Sequence, residues 1–318
     1  MNSRPFRILS LDEGGIRGLF PAAFLAELEK ITGRKLVEHF DLLVGTSTGS
    51  IIVLGLASGK SAAEILEFYT EYCPSLFPTP SLRQFLTKTT RWFFRPKYGN
   101  APLIAALRQT FHETRIGDLK VPVCVPSYEV TVGWPRLFKT DHHEKLQLDN
   151  GKLVWQVAAA SSAAPTYFPA FQFDPNDAYV DGGIWANNPV LVGIHEALKY
   201  CGQTLEKLSI LSVGTGSRLP RLAPKKAKSM GLISWGVKGR IIELVFQAQS
   251  GSAHNVAALL LPDDRYLRIE TDLDESIPLD QYDKAAVLIE RGRNRARQER
   301  EKIKARFLQW PRTFQWPR

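Results

Sequence analysis

The sequence predicts an α/β protein with a mainly parallel central sheet, and three observations carry that expectation. Short apolar runs that read as strands alternate with segments of helical spacing, as in consecutive βα units. Three of those strand-like runs end in glycine-bearing turns, after Leu11, Val44 and Val180, and ligands of such folds gather at the carboxyl ends of strands. The longest apolar runs, such as Ile51–Ala57, are far too short to span a bilayer, so the apolar residues serve a core.

The elements follow in order. Phe6–Leu11 (FRILSL) reads as a buried strand. Leu19, Ala23, Leu25, Leu28 and Ile31 recur at helical spacing, with Gly33 as the C-cap. Asp41–Val44 is a second strand, which runs through GTSTG into a buried helix, SIIVLGLASG. Ser61 and Glu64 form a capping box for a helix ending near Cys73. From Pro74 to Pro102 prolines, aromatics and bases mix without a period, so this stretch reads as an insertion capping the core. Regular structure resumes with LIAALRQTF as helix, VPVCVPSYEV as strand and PRLFKT as its antiparallel partner. LVWQVAAASSAA is a helix of small residues, and AYVDGG a strand closed by a tight turn. NPVLVGIHEALKY is a helix with Asn188 as cap and Pro189 in its first turn. KLSILSV is a strand, Ser229–Leu261 a long helical stretch, RYLRIE the last strand and the segment from Gln281 the last helix.

No repeat of 20–50 residues is present, so the 318 residues read as one domain, with residues 74–102 as cap and 281–318 as a basic helix and tail. The hydrophobic fraction of 44% and the aromatic fraction of 10% suit an ordinary globular core. The formal charge of +9 favours anionic partners such as a phospholipid surface. Much of it comes from Glu290–Phe307, which reads as a solvated helix face laced by i,i+4 pairs, with an anion-binding surface as the alternative. Cys73, Cys124 and Cys201 are too scattered for a disulfide or metal pattern and read as reduced thiols. The first residues lack the apolar stretch of a signal peptide, and the expected location is cytoplasmic.

The chemistry starts at Gly45–Gly49. GTSTG matches G-x-S-x-G, and between a strand and a helix this makes a nucleophile elbow presenting Ser47. The bland reading is a helix-capping serine in a tight turn. A serine hydroxyl needs a base. His195 and His254 satisfy the chain order of a Ser–acid–His triad, but both fall within helical runs rather than at strand ends. His142 and His143 stand in a polar loop without metal-ligand company, and no metal is expected. Asp181, at a strand end before two glycines, is placed to act directly on Ser47, provided burial raises its basicity. The loop SLDEGGIRG then has backbone N–H groups at Gly14 and Gly15, with Arg17 adding charge, to stabilise a tetrahedral oxyanion. Its competing reading is a dinucleotide fingerprint, which fails because Glu13 takes the first glycine's place and no ribose-binding acid follows.

LDEGGIRG, GTSTG, AAASSAAPTYFPAF and YVDGGIWANNP, in this order, resemble the patatin-like phospholipase family. The resemblance implies a three-layer α/β/α sandwich, a Ser47–Asp181 dyad, an oxyanion hole at Gly14, Gly15 and Arg17, and metal-free cleavage of phospholipid acyl esters. It is nearest to bacterial CBASS effectors, which implies activation by a cyclic dinucleotide in antiphage defence, at the inner membrane surface. No nucleic-acid partner is expected, and a homo-oligomer stays open. Phe85, Trp92, Phe93 and Phe94, interleaved with bases, are the expected membrane contacts, against the alternative of a cap packed on its own core. The family pattern has glycine where this chain has Glu13. If position 13 demands a positive φ, glutamate costs about 1–2 kcal/mol there, and its charge opposes the oxyanion. Two other readings stay open at this point: a catalytically damped sensor on the same fold, and a His-triad esterase of soluble esters.

Overall fold

The structure is a computed structural model and describes residues 4–77, 95–216, 223–231, 240–273, 277–312 and 314–315. In chain order its elements are β1 (Phe6–Leu11), α1 (Leu19–Thr32), β2 (Leu42–Gly45), α2 (Thr48–Ala57), α3 (Ala62–Leu76), α4 (Ala101–Phe111), β3 (Val123–Glu129), β4 (Trp134–Lys139), α5 (Val154–Ser161), β5 (Tyr179–Asp181), α6 (Gly183–Ala186), α7 (Val190–Tyr200), β6 (Leu208–Val213), α8 (Pro224–Lys228), α9 (Arg240–Leu260), β7 (Tyr266–Ile269) and α10 (Ala285–Phe307).

The strands form one sheet in the order β4-β3-β2-β1-β6-β7, with β5 also on β3. Pairings among β3, β2, β1, β6 and β7 are parallel, while β4 and β5 run antiparallel to β3. Successive side chains of a strand point to opposite faces, and the core divides accordingly. Leu9, Leu11, Leu43 and Val213 pack with α1, α2, α3, α4, α5 and α10. Ile8, Leu42, Val44 and Ile210 pack on the other face with α7 and α9. The arrangement is the α/β/α sandwich.

Strand β3 decides where the site forms. β4 takes one of its edges from Cys124 to Glu129. β2 takes the other edge only at Val123 and Cys124, and β5 takes that edge over from Ser127 to Glu129. β5 thus continues the line of β2 beyond its carboxyl end. That brings Asp181 towards the turn after Gly45.

The capping box of α3 is present, Glu64 N–H donating to Ser61 Oγ at 3.2 Å and Ser61 N–H to Glu64 Oε2 at 2.8 Å. Gly33 closes α1 with a φ of 64°. Some expected boundaries move. α3 runs past Pro74 to Leu76; the carbonyl of Thr70, which proline cannot bond, accepts the Tyr282 hydroxyl at 3.2 Å instead. Within Ser229–Leu261 the helix begins at Arg240, and a separate short α8 precedes it. Most of the expected cap, including Phe85, Trp92, Phe93 and Phe94, lies outside the described residues.

The basic C-terminal helix is not merely a solvated face. Leu288, Gly292, Ala296, Ile303 and Phe307 of α10 are buried, and Gly292 lies so close to the Phe20 carbonyl of α1 that a side chain there has no room. Its charges are in part paired, Arg295 with Glu299 at 3.2 Å and Arg297 with Glu27 at 2.7 Å. Beyond it, buried Arg7 of β1 donates to the carbonyls of Phe307 and Trp310, both at 2.7 Å, and Phe314 meets Phe6 edge-on. The tail therefore clasps the amino end of the central strand.

His142 also differs from expectation. It stands in the loop after β4 as expected but is fully buried and has company there, its Nε2 3.0 Å from Glu196 Oε1 and its Nδ1 2.9 Å from Thr140 Oγ1. Glu196 also accepts from Lys139 Nζ at 2.7 Å. Cys124, His142 and Glu196 place their donor atoms within 4.8 Å of one another. The lysine ammonium already supplies the positive charge that Glu196 faces.

Candidate active site

Ser47 occupies the tip between β2 and α2 with φ 54° and ψ −120°. A non-glycine residue there carries strain on the order of 1–3 kcal/mol, so its surroundings must hold it. Its N–H donates to Ser161 Oγ at 3.0 Å, and Ser161 in turn donates to the Pro126 carbonyl at 2.6 Å. Its carbonyl accepts from Ser50 N–H at 2.8 Å and from Ser50 Oγ at 2.5 Å. The hydroxyl of Ser47 makes no cap bond to α2, which removes the helix-capping reading. Gly49 passes against the Leu11 carbonyl of β1, where a β-carbon has no space; this is why the elbow needs glycine beside the serine.

Asp181 closes β5 and is fully buried. Its Oδ1 accepts the Gly183 N–H at 2.7 Å. Its Oδ2 has no partner at full hydrogen-bond geometry, yet the Ser47 hydroxyl lies near enough to favour its ionised form. Hydrogen bonds of this kind are often loose until substrate is bound. Burial pushes the carboxyl up to about 7, against the Ser47 hydroxyl and the Gly183 amide. An aspartate so placed has the basicity that proton transfer near neutral pH requires.

The loop after β1 supplies the donors. Asp12 N–H bonds the Val213 carbonyl at 3.1 Å, Glu13 N–H the Asn187 carbonyl at 3.0 Å and Ile16 N–H the Leu279 carbonyl at 2.8 Å. The amides of Gly14 and Gly15, between them, have no acceptor among the described residues. Gly15 has φ 54°, and a β-carbon on it runs into the Leu279 carbonyl. Arg17 sits beneath the loop, its backbone N–H 3.0 Å and its Nε 3.4 Å from the Gly14 carbonyl and its Nη1 3.7 Å from Glu243. It braces Gly14 as well as adding charge. Asp12 is gripped by Arg268 in a two-pronged pair at 2.8 and 2.6 Å.

Glu13 is not among the residues with positive φ, so the conditional backbone strain does not arise. The side chain is buried, its Oε2 accepting from Asn187 Nδ2 at 2.8 Å while its carbonyl accepts from Thr215 Oγ1 at 2.7 Å. Burial first, and the charge of Asp181 second, push its carboxyl up to about 8, against the pull of Arg17 and Asn187.

Ser47, Glu13 and Gly15 line a cavity whose other walls include Ile51, Phe68, Leu76, Leu103, Phe168 and Leu279. Its walls are mostly apolar. Among the described residues no histidine lines it. His254 has its Nδ1 3.0 Å from the Tyr266 hydroxyl, and His195 is exposed on α7. The structure thus brings Ser47, Asp181, Gly14, Gly15 and Arg17 together and leaves both histidines out.

Sequence reasoning gave no role to Ser161, Asn187, Thr215 or Arg268. A signal for the first was available, since Ser161 and Ser162 interrupt an otherwise apolar run of alanines. For Arg268, in the last strand and 256 positions from Asp12, the sequence held none.

A family model described as patatin-like phospholipase matches residues 9–194. A protein of Pseudomonas aeruginosa named cGAMP-activated phospholipase is 35% identical over 252 residues, 79% of this chain and 74% of that one. A protein of Vibrio cholerae with the same name is 33% identical over 331 residues, 94% of this chain and 92% of its own. The crystal structure of VipD from Legionella pneumophila matches with a TM-score of 0.51 at 13% identity, over 95% of this chain and 67% of that one, a likeness of fold.

Proposed function

The chain belongs to the patatin-like phospholipase family and is a lipid hydrolase; on that premise we propose that Ser47 and Asp181 cleave the acyl esters of membrane phospholipid as a dyad. The Asp181 carboxylate takes the proton of Ser47 as Oγ attacks the ester carbonyl. The amides of Gly14 and Gly15 receive the oxyanion. The intermediate collapses to an acyl-serine, and Asp181 returns its proton to the departing lysolipid alkoxide. Asp181 then takes a proton from water as its oxygen attacks the acyl carbon, and returns that proton to Ser47 Oγ as the acyl–oxygen bond breaks and the fatty acid leaves. The observation that carries this reading is the pair of amides at Gly14 and Gly15, without an acceptor among the described residues, beside a buried serine and carboxylate.

The finer reading is that a cyclic dinucleotide activates the enzyme and that the cell uses it against phage, acting at the membrane surface. The names of the Pseudomonas and Vibrio relatives support the activator, and the positive charge of +9 supports an anionic surface. The resemblance to CBASS effectors supports the antiphage role. No described helix is long and apolar enough to cross a membrane.

Fatty-acid release from phospholipid vesicles, with and without a panel of cyclic dinucleotides, tests both levels. The expected result is release that one cyclic dinucleotide raises and that Ser47→Ala abolishes. Release that survives Ser47→Ala refutes the nucleophile. Release indifferent to every cyclic dinucleotide refutes the activation.

A further inference from the structure

Glu13 is a titratable group of the cavity that the hydrolytic steps above leave unused, and it stands where the family pattern has glycine. Its side chain is 2% exposed and lines the same cavity as Ser47 and Gly15. Glu13 Cγ and Asp181 Oδ1 each lie 3.1 Å from one point, the place that a β-carbon on Gly183 takes. Glu13 Cγ and Asp181 Oδ1 therefore lie within about 6 Å of one another across a glycine, and the charge of Asp181 disfavours that of Glu13.

The charged groups around Glu13 are few and mostly committed. Asp181 faces it from β5. Arg17 attracts it from the following turn but also reaches Glu243 of α9. Asp12, its other acidic neighbour, is tied to Arg268 of β7, which also binds Glu270 at 2.7 Å. Tyr167 stands on the cavity wall, its phenol pushed up chiefly by burial and so neutral. Asn187 donates to Glu13 Oε2 without supplying charge. Arg17, itself drawn to Glu243, is the cation that attracts Glu13, while Asp181 relies on hydrogen bonds, so ionising both buried carboxyls at once is unfavourable.

We propose that Glu13 and Asp181 carry a single proton between them, held on Glu13, so that Asp181 is the ionised base and Glu13 a neutral acid of the active site. The inference rests on the Ser47–Asp181 reading above and deepens it. Asp181 has the Gly183 amide and the Ser47 hydroxyl to stabilise its negative form. Glu13 has one amide donor and lies next to the oxyanion amides, where a second negative charge opposes the reaction. Neutral Glu13 presents its carboxylic acid to the cavity as a hydrogen-bond donor instead. It keeps its proton through the turnover, and losing it closes the site.

The test is the pH profile of short-chain ester hydrolysis, from about pH 6 to about pH 9, for wild type, Glu13→Gln, Glu13→Gly and Ser47→Ala. A soluble ester removes the pH response of a vesicle surface. The wild type should show an acid limb from Asp181 and an alkaline limb from Glu13. In Glu13→Gln the acid limb stays and the alkaline limb goes, so that the ratio of the rate at about pH 9 to that at about pH 7 rises by about tenfold over wild type. Glu13→Gly loses the same limb. An alkaline limb that persists in both variants overturns the inference. Wild-type hydrolysis that Ser47→Ala does not abolish overturns the dyad reading itself, a distinguishable failure. Should neither Glu13 variant fold, infrared difference spectra of the wild type decide: a protonated-carboxyl band lost as pH rises through about 8 is expected, and its absence refutes the shared proton.

Discussion

Asp181→Asn should inactivate the enzyme and stabilise it, and the size of the second effect follows from burial. The carboxyl is fully buried and its pKa is raised from 3.8 to about 7. Between those values the folded protein holds a proton that the unfolded chain has lost, so stability falls as pH rises and levels off above about 7. One pKa unit corresponds to about 1.4 kcal/mol. The ionised wild type above pH 7 is therefore destabilised by an amount on the order of 4 kcal/mol. Asparagine keeps an acceptor for the Gly183 amide and offers Ser47 a neutral partner, so the variant escapes the charge. Its advantage is smallest in acid and should grow by about 3 kcal/mol from about pH 5 to about pH 8. For a chain of this length that widens the gap between the two melting temperatures by about 5 °C. Thermal unfolding followed by circular dichroism at the two pH values, wild type beside variant, measures it. A gap equal at both, or a variant less stable than wild type at about pH 8, refutes the buried, raised carboxyl. Ester hydrolysis by the same variant should fall about 10²–10⁴-fold, as expected for a lost general base.

Two further substitutions probe the loop and the elbow. Gly15→Ala forces a β-carbon into a residue with φ 54° and against the Leu279 carbonyl; a loss of about 10²–10³ in kcat is expected, and steady-state kinetics showing an unchanged kcat would count against Gly15 as an oxyanion donor. Ser161→Ala leaves the Ser47 amide and the Pro126 carbonyl without their shared partner. It should cost about 1–3 kcal/mol by urea titration and lower kcat at the same time, and full activity in that variant sinks its role in holding the elbow.

Much of this site was legible because its chemistry depends on short-range backbone geometry. A sharp strand-to-helix turn needs glycine beside the serine, and a loop that points amides outward needs glycine at Gly14 and Gly15. Such constraints write themselves into four or five consecutive residues. The capping box of Ser61 and Glu64 and the C-cap at Gly33 were readable for the same reason. Their partners lie within one turn of the chain.

What stayed hidden depends on partners far apart in sequence. His142 reads as a polar loop residue until β4 and α7 meet around it and bury it against Glu196, 54 positions away. The arginine-rich α10 reads as a solvated face until one stripe of it is seen against α1. Pro74 reads as a helix stop until Tyr282 satisfies the carbonyl that it leaves open.

Glu13 shows the division most sharply. The sequence alone determined the class of fold, and it already set Glu13 in a glycine loop beside the proposed nucleophile Ser47 and the proposed base Asp181. Only the tertiary structure decided that Glu13 bears no backbone strain, approaches Asp181 across Gly183 and is buried. The reason is physical. Backbone conformation is a local property, whereas desolvation and the distance between two charges exist only once β1 and β5 have been brought together by the sheet.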